Sequence, residues 1–171
     1  MKFKSLQTLI ASVLLCAPGA PPALALDAPT GDVILTIVSP HLEYPNASRR
    51  AEFDLAMLEN LSSRTGTMET PWTKGEVQFS GPLLRAVLEA AGAKGVALKI
   101  KALNDYQAEI PMEDATSIDT MLATRMDGKP MSVRDKGPIF LIYPFDSRSD
   151  LYNEKYFSRS VWQIKEIEVV E

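Results

Sequence analysis

Apolar residues in this chain come in short bursts of two different periods, and the order of those periods sets the expected fold. Val33 to Val38 is a largely β-branched run that reads as a buried strand, closed by Ser39-Pro40. Phe53, Ala56, Met57 and Leu61 then recur at helical spacing and predict a short helix over Glu52 to Leu61. Ser62 to Gly75 is polar and reads as a loop, and behind it Val77 and Phe79 alternate as in a strand. Gly81-Pro82 reads as a helix start, because proline at the first helical position sacrifices no bonded N–H. Leu83, Leu84, Val87, Leu88 and Ala91 form the apolar face of that helix, and Gly92 its stop.

Alternation dominates the second half. Val96, Leu98 and Ile100 form one strand, Asn104-Asp105 a turn, and Tyr106, Ala108 and Ile110 a second strand ending at Pro111. Met121 to Met126 leads through Asp127-Gly128 to Met131 and Val133, the pattern of a hairpin. Ile139 to Tyr143 is an apolar strand between Gly137-Pro138 and Pro144, and Val161 to Val169 supplies the last strand. Between them Phe145 to Ser158 reads as a long polar loop, a kind of segment that is more often functional than idle. Short helices set among many short strands, without regular strand–helix alternation, predict an α+β fold with mixed sheets.

The first 25 residues follow different rules. Lys2 and Lys4, the apolar stretch Leu6 to Leu15 and Ala23-Leu24-Ala25 have the layout of a cleaved export signal. The bulky Leu15 before Cys16 argues against lipoprotein processing. Residues 26–171 are then the expected mature chain, one exported domain. Losing Lys2 and Lys4 leaves 16 basic against 22 acidic residues, a net charge of −6, with no basic stripe for nucleic acid. Cys16 is the only cysteine, so the mature chain has no disulfide and no thiolate ligand.

Familiar catalytic constellations are missing. His41 is the single histidine and lies beside Pro40 without a Gly-x-Ser-x-Gly elbow, which favours a plain loop histidine over a triad member. One histidine cannot build a zinc site, and the glycines are too scattered for a phosphate loop. Glu113-Asp114 pairs two carboxylates, most simply as a solvated turn.

Three ordered stretches carry a resemblance. They are Phe79-Ser-Gly-Pro-Leu-Leu-Arg-Ala-Val-Leu-Glu-Ala-Ala-Gly, Ala102-Leu-Asn-Asp-Tyr-Gln-Ala-Glu-Ile-Pro, and a third set from Leu122-Ala-Thr-Arg-Met-Asp-Gly-Lys-Pro-Met through Lys136-Gly-Pro-Ile-Phe-Leu-Ile-Tyr-Pro to Trp162-Gln-Ile-Lys-Glu-Ile-Glu-Val. Together they resemble the molybdopterin-binding domain of the sulfite oxidase type in a small exported version. The resemblance implies a cysteine ligand to molybdenum upstream of the Gly-Pro helix. Here that region reads Arg64-Thr-Gly-Thr-Met-Glu-Thr-Pro-Trp-Thr, with no thiol. A threonine hydroxyl is a poor replacement as a metal ligand. The cysteine-free pattern resembles the periplasmic pterin-binding regulators of the PruR type. It implies a non-catalytic protein that binds a reduced pterin, such as a tetrahydropterin. The implied partner is the periplasmic domain of an inner-membrane diguanylate cyclase or phosphodiesterase. Molybdopterin, in a divergent oxidoreductase, is the alternative cofactor, and a ligand-free interaction module is a third reading.

A pterin is a flat bicycle with a guanidine-like edge, which calls for stacking faces and a few placed polar groups. Trp72, after Pro71 in a polar stretch, is either a stacking face or a lid on the core. Asp105 with Tyr106 is either an acceptor for the guanidine edge or merely a turn, and the resemblance favours the acceptor. Arg64, Arg125 and Arg159 are candidate donors to a ring carbonyl, with Thr70 and Thr73 as weaker candidates beside Trp72. Trp162 and the methionines Met121, Met126 and Met131 read as core.

Overall fold

A computed structural model describes residues 26–171, so the expected signal segment and Cys16 lie outside the described residues. Among the described residues, eleven strands fall into three sheets with four short α-helices among them, the mixed α+β architecture that the patterning predicts.

The five-stranded sheet runs β2-β1-β11-β5-β6, from β1 (Leu35–Val38), β2 (Arg50–Phe53), β5 (Ala97–Ala102), β6 (Gln107–Pro111) and β11 (Ile164–Val170). Only the β1–β11 pair is parallel; the others are antiparallel. One face is wholly apolar: Leu35, Ile37, Phe53, Leu98, Ile100 and Ile167 are fully buried. The other face is laced with charge, because the β5–β11 register sets Lys101 beside Glu166 and Lys99 beside Glu168. Lys101 Nζ lies 2.8 Å from Glu166 and 2.7 Å from Glu168, an opposite-charge cross-strand set of the kind that favours one register.

The four-stranded sheet β3-β4-β8-β9 comprises β3 (Ser63–Glu69), β4 (Glu76–Pro82), β8 (Arg125–Met126) and β9 (Lys129–Pro130). β3 replaces the loop expected over Ser62 to Gly75. It alternates, but its inward side holds small or polar residues around the buried Gly66 and Met68, with Ser63, Thr65, Thr67 and Glu69 outside. Such a strand shows almost no hydrophobic period, and pairing with β4 from Ser63–Pro82 to Glu69–Glu76 creates it. The Asp127-Gly128 hairpin forms as expected, with Met126 opposite Lys129, while Val133 ends up exposed in a short 3-10 turn.

Helix boundaries moved for identifiable reasons. Phe53 belongs to β2, and α1 (Leu55–Glu59) starts only after Asp54. The Asp54 carboxylate caps Met57 N–H at 2.8 Å and also accepts from Thr30 and Gly31 N–H, each at 2.8 Å. These three bonds hold its pKa below the ordinary aspartate range. Gly81-Pro82 ends β4, and α2 (Leu84–Ala91) begins two residues later. Gly81 is there for close approach, since a Cβ on it would collide with the Leu122 carbonyl. Gly92 stops α2 in the left-handed conformation, φ 63°, as its position suggests.

A third pair, β7 (Met121–Ala123) with β10 (Phe140–Ile142), lies in the centre and is fully buried. Bridges Leu83–Met121 and Phe140–Trp162 tie it to its surroundings. Two segments read as solvated are structured. Glu113–Thr116 is α3, and the expected loop of 145–158 contains a 3-10 turn (Ser149–Leu151) and α4 (Glu154–Arg159), capped by Asn153.

Candidate functional site

The turn after β3 builds the first wall. Thr70 is buried; its hydroxyl accepts from Trp72 N–H at 3.3 Å and lies 2.9 Å from the Thr73 hydroxyl. That small lattice folds the chain back and sends the Trp72 indole inward. There it meets Phe140, Phe157 and Trp162 edge-to-face, with ring centroids 5.6, 5.9 and 5.9 Å away. Trp72 is therefore packed on the core, and it also lines a cavity of about 230 Å³. The packing matches the reading of this residue as a lid on the core.

Facing it, the β5–β6 turn contributes Asn104 and Tyr106. Asn104 accepts from Tyr106 N–H at 3.2 Å through its side-chain oxygen, an Asx-type contact that fixes the turn. Helix α4 and the residues after it add Phe157, Ser160 and Trp162, and Ala102 with Val161 complete the lining. Four aromatic rings and no charged side chain surround the space. Lys136 Nζ stands over the Trp162 ring, 5.2 Å from its centroid.

Of the candidate residues, only Trp72 and Tyr106 line this cavity, with Thr70 directly behind Trp72. Asp105 does not. It adopts φ 63°, its side chain is 87% exposed, and its carboxylate pairs with Lys165 at 2.9 Å, which lowers its pKa. The three arginines are each held by a carboxylate. Arg125 meets Glu59 in a fork, at 2.7 and 3.0 Å. Arg64 meets Asp146 at 2.7 Å, while its Nη1 is the one buried side-chain polar atom without a partner among the described residues. Arg159 donates to Asp114 at 2.8 Å.

Asp114 is the residue that pattern reading placed least well. Far from lying in a solvated turn, its side chain is only 5% exposed, and the same Oδ2 accepts from Tyr143 Oη at 2.7 Å. Burial and this bond push the Tyr143 phenol far above its ordinary pKa, so it stays a donor. Through Arg159 the pair holds the end of α4, the helix that carries Phe157 and leads into Ser160 at the cavity. The loop expected over Phe145 to Ser158 includes Phe157 and stops short of Ser160. His41 is exposed near Glu171, 3.6 Å away, as a loop histidine would be.

The profile of the oxidoreductase molybdopterin binding domain matches residues 44–171. The chain belongs to that family, the sulfite oxidase-type molybdopterin-binding domains. Among solved structures, the sulfane dehydrogenase SoxCD from Paracoccus pantotrophus superposes with a TM-score of 0.56 at 18% identity. The match covers 80% of this chain but only 37% of the SoxCD chain, and at that identity it shows a shared fold. No curated protein sequence matches the chain.

Molybdopterin is the cofactor for which the family is named. A flat pterin ring suits a cavity walled by indole and phenyl rings. Thiolate ligation of molybdenum does not suit the donor set. Residues 26–171 contain no cysteine, and among the described residues no three His, Cys, Asp or Glu side chains cluster as a metal site would need.

Proposed function

We propose that this protein binds a reduced pterin, of the tetrahydropterin class, without performing molybdenum redox chemistry. It works in the periplasm after removal of residues 1–25. There it relays the presence of pterin to the periplasmic domain of an inner-membrane diguanylate cyclase or phosphodiesterase. The observation that carries this reading is an aromatic, uncharged cavity at Trp72 and Tyr106 in a molybdopterin-family domain whose described residues contain no thiol. The pterin stacks among the aromatic rings, with Thr70 fixing the Trp72 turn. Arg64, Arg125 and Arg159 act as clamps on the surrounding elements, each already engaged by its carboxylate.

Relay requires that loaded and empty forms bind the partner with different affinity, and the coupling is reciprocal. Occupancy of the cavity touches α4 directly through Phe157, so α4 and the 145–153 segment are where the two forms differ.

The test is the small-molecule and metal content of protein purified from the periplasm, read after denaturation by fluorescence, mass spectrometry and elemental analysis. Stoichiometric pterin without molybdenum supports the proposal. Molybdenum with a dithiolene pterin favours the oxidoreductase alternative that family membership brings, and it would sink the proposal. A pterin-dependent change in affinity for the sensor's periplasmic domain tests the relay separately.

A further inference from the structure

We infer, resting on the cavity as the pterin site, that it selects an uncharged, unphosphorylated heterocycle and orients it through Asn104 and Ser160. The selection follows from what the lining contains. Trp72, Tyr106, Phe157 and Trp162 offer ring faces and edges, and no lining side chain carries a charge. The charged neighbours in sequence are turned elsewhere: Asp105, next to Asn104, pairs with Lys165, and Arg159, next to Ser160, pairs with Asp114. A phosphate drawn in among the rings would lose its water, and the nearby cation, Lys136, stands 5.2 Å from the Trp162 ring centroid rather than in the lining, so the desolvation penalty is only partly offset. The cavity, at about 230 Å³, is also smaller than the roughly 300–1,000 Å³ typical of pockets for drug-sized ligands, so a bare bicyclic ring fits its scale.

Two of the polar lining residues, Ser160 and Asn104, are complementary to each other. Ser160 is 4% exposed, and its hydroxyl proton is committed to the Tyr156 carbonyl at 2.9 Å. Its oxygen therefore presents lone pairs to the cavity and accepts a ligand N–H. Asn104 has the opposite polarity. Its oxygen is occupied by Tyr106 N–H, leaving the NH₂ group to donate to a ring carbonyl. An amino-oxo pyrimidine edge supplies both an N–H and a carbonyl. Neither group recognises a phosphate by charge.

Tryptophan-fluorescence titration of the whole mature protein tests this, using a tetrahydropterin with a hydroxylated side chain and the monophosphate of the same compound. The expected result is at least about tenfold weaker binding of the monophosphate. Asn104→Ala should weaken the unphosphorylated pterin by about 2- to 10-fold, the loss of one hydrogen bond, while the lost Asx contact in the turn lowers the melting temperature by no more than about 2–4 °C. Equal or tighter binding of the monophosphate overturns the selectivity while leaving the pterin reading intact. Full affinity in Asn104→Ala overturns the assigned orientation. If neither compound binds, the pterin reading of the cavity fails and this inference with it.

Discussion

Two aspartates nine residues apart show how little a carboxylate's sequence setting reveals about its role. Asp105 sits in a recognisable Asn-Asp turn and was the attractive ligand contact, yet it is solvent-exposed and holds only Lys165. Asp114 sits in an acidic pair after Pro111 and looked idle, yet it is buried under Tyr143 and anchors Arg159. Burial separates them. In water an ion pair contributes little, whereas a desolvated carboxylate must be fully satisfied and breaks its surroundings when lost. The polar anchor lies behind the cavity wall, and the cavity itself is left to uncharged side chains.

Changing each residue in turn sharpens the contrast. Asp114→Ala strands the Tyr143 hydroxyl and the Arg159 guanidinium. It is expected to cost about 3 kcal/mol, near the lower end for breaking a buried pair because Arg159 keeps some solvent. In a domain of this size that corresponds to a drop of roughly 6–12 °C in melting temperature, readable by calorimetry. Tyr143→Phe leaves the Asp114–Arg159 pair and removes one bond to a charged acceptor, so about 1.5–2 kcal/mol should be lost in urea unfolding. Asp105→Ala should move the melting temperature by no more than about 2 °C, and Asp105→Gly should be tolerated because the residue has φ 63°. A drop for Asp105→Ala as large as that for Asp114→Ala would break the comparison.

A third aspartate gives the acid limb. The folded pKa of Asp54 lies below its unfolded value, so its contribution is full above the unfolded value and is lost as pH falls through the folded one. Asp54→Asn should therefore be less stable than the wild type near neutrality, with the gap narrowing in acid. A gap that widened in acid would contradict the capping role.

The legible part of this chain was the part in which large apolar residues carry the period. β1, β5, β6, β10, β11 and the body of α2 fall where alternation or helical spacing places them. β3 stayed hidden because Gly66 and threonines occupy a strand that needs little apolar surface inside. Gly81-Pro82 mimicked a helix start because proline suits the first turn of a helix as well as the end of a strand, while Gly81 serves close strand packing. At the site, Trp72 was legible as an indole in a polar turn. Asn104, Phe157 and Ser160 were not, because the cavity joins the turn after β3, the β5–β6 turn and the end of α4, and no sequence spacing reports that meeting.

The most direct measurement compares pterin retained per protein in Trp72→Leu and Asp105→Ala, both purified from the periplasm and shown to be folded by circular dichroism. Leucine at position 72 preserves apolar contact with Phe140 while removing the indole. The account predicts that Asp105→Ala keeps wild-type pterin content and Trp72→Leu loses most of it. Full pterin content in Trp72→Leu, with loss in Asp105→Ala, would place the ligand at the exposed turn and contradict the cavity.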